Sequence, residues 1–119
     1  MGYLYHGNYA QYYELGRVEL IRSLGLTYKE LEDDFGVGMP VMYMETRYLR
    51  PAYYDDLLTI KTKVKKIPDD FLRFFVEIIN EKGKLITGAK VKLCFIDMKT
   101  MERVKCPMVL KNKLAPHFQ

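Results

Sequence analysis

Three long alternating runs, separated by very short polar turns, fill the middle of the chain and leave it little choice of fold. Leu57 to Ile67 puts Leu58, Ile60, Thr62 and Val64 on one side and Thr59, Lys61, Lys63 and Lys65 on the other. Phe71 to Asn80 puts Leu72, Phe74, Val76 and Ile78 on one face. Leu85 to Asp97 does the same with Leu85, Ala89, Val91, Leu93 and Phe95. Pro68-Asp69-Asp70 and Glu81-Lys82-Gly83-Lys84, which join these runs, have the composition of turns. They are too short for a crossover, so consecutive strands must run antiparallel. Val41 to Leu49, rich in β-branched, aromatic and Met residues, predicts another strand. After the turn Met98-Lys99-Thr100, Arg103 to Leu110 predicts a last one.

Ahead of the strands stands one long helical pattern, Tyr9 to Leu24. Tyr9, Tyr13, Gly16, Leu20 and Leu24 recur at three- and four-residue steps and mark a buried face. Asn8 is a favoured N-cap with Gln11 three residues on, and Gly25 suits a left-handed C-terminal cap. Gly16 inside a helix costs about 1 kcal/mol relative to Ala. Close approach to another backbone, as when a sheet cradles the helix, would offset that. Thr27-Tyr28-Lys29-Glu30 is a second capping box and opens a short helix ending near Phe35, before Gly36, Gly38 and Pro40 break the chain. A helix followed by a run of antiparallel strands is an α+β chain, and 119 residues make one domain, 1–119.

The segment leading into the long helix carries the most chemistry. Gly2-Tyr3-Leu4-Tyr5-His6-Gly7-Asn8-Tyr9 holds one of only two histidines. It delivers an imidazole to a helix start, where backbone N–H groups lack partners and carry partial positive charge. Such a point binds an anion, or a carbonyl oxygen that becomes anionic during reaction. The alternative is a loop whose His6 only packs or hydrogen-bonds. Arg50, just before Pro51 at a strand end and followed by Tyr53-Tyr54-Asp55-Asp56, can present a guanidinium and aromatic rings to an anionic ligand; the alternative is a plain surface loop. Arg47 belongs to the same stretch. The lysines of the Leu57–Ile67 run read as a solvated face that also discourages edge pairing.

Composition excludes several classes. No apolar run reaches the roughly 18 residues of a membrane span, and the N-terminus has no signal-peptide pattern. A net charge of +4 permits an anionic ligand without demanding nucleic acid. Cys94 and Cys106 have no CxxC spacing and fit a reducing cytoplasm better than a disulfide scaffold. Two cysteines and two separated histidines do not suggest a metal site.

Gly2-Tyr3-Leu4-Tyr5-His6-Gly7-Asn8-Tyr9, followed by Tyr12-Tyr13-Glu14 and Arg17, resembles the active-site segment of hotdog-fold acyl-CoA thioesterases. The nearest group is the 4-hydroxybenzoyl-CoA thioesterase-like family, including the Tol-Pal-associated enzymes. That segment usually reads Asp-x-x-Gly-x-x-(Tyr/Phe)-(His/Tyr)-x-Asn-Tyr before the helix. Tyr48-Leu49-Arg50-Pro51-Ala52 and Asp55-Asp56-Leu57-Leu58 resemble a second family segment, and Ile96-Asp97 and Pro107 also fit.

The resemblance implies a hotdog, an antiparallel sheet wrapped around the long helix, here without the family's first strand. It implies homodimers or homotetramers with active sites between subunits, acyl-CoA as substrate, and no cofactor or metal. It places catalysis at His6, Tyr5 and Gly7, and substrate binding at Gly2, Asn8, Tyr9, Tyr13, Arg50 and Pro51. Glu14 is the helix carboxylate that some hotdog thioesterases use; alternatively it is an ion-paired or solvent-facing charge. The family's opening Asp would stand two residues before Met1, outside this sequence. The second reading is therefore a non-catalytic hotdog module that binds acyl-CoA or acyl carrier protein.

Overall fold

The computed structural model describes residues 6–53 and 56–118, with backbone only for residues 6–8. Helix α1 spans His6–Ser23 and α2 Tyr28–Asp33. The strands are β1 Val37–Gly38, β2 Val41–Tyr48, β3 Thr59–Lys63, β4 Phe71–Ile79, β5 Leu85–Asp97 and β6 Arg103–Val104. Helix α3, Met108–Leu114, and a 3-10 turn, Ala115–Phe118, follow.

β5 is the spine of the sheet. On one side it pairs antiparallel with β4, and β4 in turn with β3; on the other it pairs with β2. At its far end β5 is flanked by the two-residue strands β1 and β6. The alternation expected from the sequence holds on the inner face. Leu72, Phe74, Val76 and Ile78 of β4 and Ala89, Val91, Leu93 and Phe95 of β5 are all buried. Each large apolar side chain buried this way contributes about 1.5–3 kcal/mol. Leu85 is the exception. An irregularity puts Leu85 opposite Ile79 while Thr87 pairs with Ile78, so Ile86 is the buried residue and Leu85 joins the outer face.

α1 lies across the inner face, mainly against β3. Gly16 is where they meet: a Cβ there would collide with Thr62 Oγ1 and come within 3.1 Å of Ile60 Cγ2. The close approach expected of this glycine is therefore present. The C-terminal end is a Schellman cap. Gly25 (φ +86°) donates its N–H to Arg22 O at 2.9 Å, and Leu26 donates to Ile21 O at 3.3 Å.

Three expectations need correction. α1 begins at His6, so Asn8 lies inside its first turn and is not the N-cap. The buried stripe passes through Tyr9, Tyr13, Arg17 and Ile21, leaving Leu20 and Leu24 only partly buried. The last strand stops at Val104. Pro107 then caps α3, whose Leu110 and Leu114 are buried four residues apart, so a helical period governs where a strand was expected. The Thr27–Glu30 box is present: Glu30 donates its N–H to Thr27 Oγ1 at 3.0 Å. β3 is shorter than the alternating run, because β4 offers it partners only from Phe75 to Ile79.

Asp69, in the turn before β4, holds the C-terminal segment in place. Its carbonyl accepts the Cys106 N–H at 2.7 Å, and its carboxylate accepts from Lys111 and Lys105, each at 3.2 Å. Those bonds, Lys111 first, hold the Asp69 carboxyl below its usual range.

Candidate active site

The start of α1 is the chemically marked point. Helix geometry leaves the backbone N–H groups of residues 6–8 without intrahelical acceptors, and no acidic side chain in the first turn offsets their partial charge. The next residue, Tyr9, is buried. Its ring packs against Tyr48 at the end of β2 (centroids 5.6 Å apart) and edge-on to Tyr12 at 6.3 Å. Burial, with smaller contributions from Tyr13, Tyr48 and Tyr12, raises the Tyr9 phenol pKa above its ordinary value. Tyr9 is thus a neutral phenol near pH 7, not a base. One turn on, Tyr13 donates its hydroxyl to Thr87 Oγ1 at 3.1 Å in the buried core.

The Tyr9–Tyr48 contact brings the β2 exit to the helix start, and Arg50 follows two residues later. Arg50 Nη1 donates to Leu85 O at 2.9 Å, while the Leu49 and Arg50 amides both donate to Ile86 O. The guanidinium is thereby tied to the entrance of β5, in a residue that is exposed overall. Pro51 is exposed beside it. Arg47 is separate, because its side chain lines a cleft on the outer face with Glu45, Lys63, Lys65 and Phe75. That outer face is a solvated basic surface with cations over aromatic rings. Lys65 sits 4.3 Å from the Phe75 centroid and Lys92 3.9 Å from that of Phe71.

Of the site residues predicted from the sequence, the structure gathers Tyr9, Tyr13, Arg50 and Pro51 around this end of the sheet. Gly2 and Tyr5 lie outside the described residues, as do Tyr54 and Asp55 of the loop; so do the side chains of His6 and Asn8, and for Gly7 only the backbone is described. Glu14 is exposed and has no ion pair among the described residues. Among those residues no cluster of His, Cys, Asp or Glu could hold a metal, and no helix is long and apolar enough to cross a membrane.

Sequence reasoning named Arg17 only as part of the family motif and gave it no role. It is only 8% exposed, yet its Nε and Nη1 have no hydrogen-bond partner among the described residues. The signal was present: Arg17 continues the Tyr9, Tyr13 spacing, which puts it on the buried stripe.

The thioesterase-like superfamily model matches residues 1–114, almost the whole chain. The chain belongs to the thioesterase-like superfamily. Its sequence is 28% identical over 118 residues to the acyl-CoA thioester hydrolase YbgC of Escherichia coli, covering 99% of this chain and 84% of that protein. The DHNA-CoA thioesterase of Staphylococcus aureus superposes with a TM-score of 0.80 at 33% identity, over 88% of this chain and 70% of that one. A second S. aureus protein, SAV2348, solved in complex with CoA, superposes with a TM-score of 0.89 over 99% of this chain and 74% of that one. At 19% identity the latter speaks for the fold alone. The hotdog architecture expected of the superfamily is the one built here, with a curled antiparallel sheet around α1.

Burial disfavours both cysteines as nucleophiles. Cys94 and Cys106 are both buried, and burial pushes the Cys106 thiol up to about 12. A thiol with that pKa is almost wholly protonated at pH 8 and does not attack. N-ethylmaleimide at pH 8 should leave native Cys106 unmodified and label it only after denaturation, as peptide mass mapping would reveal. Rapid native labelling would contradict the burial. The raised pKa also sets a direction for stability. Cys106 favours the fold below its unfolded pKa near 9, and that contribution is lost as pH rises from there towards 12.

Proposed function

We propose that the protein hydrolyses acyl-CoA thioesters at the N-terminal end of α1. The observation that carries this reading is the start of α1 at His6, whose first amides helix geometry leaves without intrahelical acceptors, beside the contact of buried Tyr9 with Tyr48. Attack on a thioester builds negative charge on the carbonyl oxygen, and fixed N–H donors at a helix start stabilise it. Kinship with YbgC and with the DHNA-CoA thioesterase supports a CoA ester as substrate. In this reading the backbone at Tyr5, His6 and Gly7 supplies the oxyanion donors and the His6 imidazole orients water or substrate. Gly2, Asn8, Tyr9 and Tyr13 border the acyl group. Arg50, exposed and fixed by Leu85 O, faces the CoA phosphates, with Pro51 shaping its turn.

A second reading, an acyl-CoA or acyl carrier protein binding module, applies to residues 1–119 taken alone. The first carboxylate in the sequence is Glu14. It stands eight residues into α1, about 12 Å along the axis from the first-turn amides. Release of CoA thiol from an acyl-CoA panel separates the two readings, since a binding module releases none.

The functional unit we propose is a two-fold dimer joined through β2. This strand is an edge of the sheet, and it is exposed along almost its whole length, including Val41, Met42, Met44, Tyr48 and Tyr43, the last 54% exposed. A long apolar edge invites pairing, whereas the other edge strand, β3, carries Lys61 and Lys63. Sedimentation equilibrium at micromolar concentration should therefore give at least twice the 14.1 kDa chain mass, and Met44→Lys should shift the species towards monomer. A wild-type chain that sediments only as monomer would refute the assembly. The two buried free thiols fit a reducing cytoplasm.

A further inference from the structure

The Arg17 side chain lines the largest cavity described, about 670 Å³, between α1, α2 and the β1–β2 connection. Its walls are mostly apolar, from Val18, Met39, Leu93 and Met98. Among the described residues, Arg17 Nε and Nη1 lack hydrogen-bond partners, and so does the buried hydroxyl of Tyr28, which also lines the cavity. The two groups are neighbours. Burial raises the Tyr28 pKa while the Arg17 charge opposes that rise, although the geometry falls short of a hydrogen bond. A guanidinium cannot shed its proton to escape burial, and an unpaired buried charge is strongly unfavourable. The site therefore offers a positive charge and buried donors that no described group accepts from, although two carboxylates share its lining. Glu14, Lys29 and Glu32 also line the cavity, as exposed charges that solvent screens.

We propose that this cavity is the distal end of the acyl pocket and that it takes an acyl chain ending in a carboxylate, held by Arg17 and Tyr28. A carboxylate on an apolar chain matches both halves of the cavity: two acceptor oxygens for the buried donors and methylenes for the walls. The position along the helix agrees. Tyr9, Tyr13 and Arg17 form one stripe, and eight residues of α1 carry it about 12 Å from the thioester end. The proposal rests on the thioesterase reading above, and it adds the substrate class, ω-carboxyacyl-CoA.

Calorimetric titration of suberoyl-CoA against octanoyl-CoA tests it, with wild type, Arg17→Met and Tyr28→Phe, each checked for folding by circular dichroism. Wild type should prefer suberoyl-CoA by on the order of tenfold to a hundredfold. Arg17→Met should bring that ratio close to one, and Tyr28→Phe, the gentler change, should reduce it severalfold. Binding of both esters without discrimination, or a preference that survives both substitutions, overturns the proposal alone. Binding of neither ester overturns the thioesterase reading as well. A ligand-free crystal structure that pairs Arg17 with a carboxylate of a second copy would also overturn it.

Discussion

Gly16→Leu should destabilise the protein by about 1–3 kcal/mol, seen as a lower urea midpoint with an unchanged slope. The effect has two opposed parts. Removing a helical glycine gains about 1 kcal/mol of helix propensity. Against that, the first added carbon already meets Thr62 Oγ1 and Ile60 Cγ2, and a leucine adds three more carbons at the same place. Thr62 is β-branched and cannot swing aside freely. Its hydroxyl is also buried without a hydrogen-bond partner among the described residues. Thr62→Ala should therefore cost little and should rescue Gly16→Ala, giving a coupling energy of the kind seen between residues in contact. A Gly16→Leu protein as stable as wild type would mean that α1 does not sit tightly on β3.

That contact illustrates what could be read from sequence. Gly16 in an otherwise regular helical pattern implied a close neighbour, and the alternating runs implied which face of the sheet would supply it. Local rules also placed the Gly25 cap and the Thr27 box, because each depends on residues within one turn. What escaped depended on distant partners. Arg103 to Leu110 looks like a strand until Pro107, Leu110 and Leu114 are seen to have a surface to pack against. The start of α1 moved from Tyr9 to His6 because cap propensity is a weak preference, and Asn8 fits a first turn as well as a cap. Arg17 was hidden because a charged residue on an apolar stripe is ordinarily read as a solvent-facing one. For the site, the motif from Gly2 to Tyr9 located the helix start, while the approach of Tyr48 and Arg50 needed the register of β2 on β5.

The second large effect concerns the chemical step. Amides at the helix start can stabilise an oxyanion, but water must still be activated. His6 is the titratable group that the sequence puts there, and Glu14 is about 12 Å away along the helix. The family pattern supplies a carboxylate two residues ahead of Met1. Residues 1–119 alone should therefore turn over slowly, and an Asp appended at that position should raise the rate by about 10²–10⁴-fold. In the extended protein, His6→Ala should lower kcat, since in the proposed function the imidazole acts during attack. Arg50→Ala should mainly raise KM, since a contact to the CoA end is equally strong in ground and transition states. Unchanged kinetics for His6→Ala would make that histidine a packed loop residue.

The most direct measurement is the release of CoA thiol, followed with a disulfide reagent, from an acyl-CoA panel by residues 1–119 with and without the appended Asp. The account predicts slow release from the shorter chain and release faster by at least about 10²-fold from the longer one. No release from either chain would contradict the proposed hydrolysis, and full activity of the shorter chain would shift the catalytic carboxylate to Glu14.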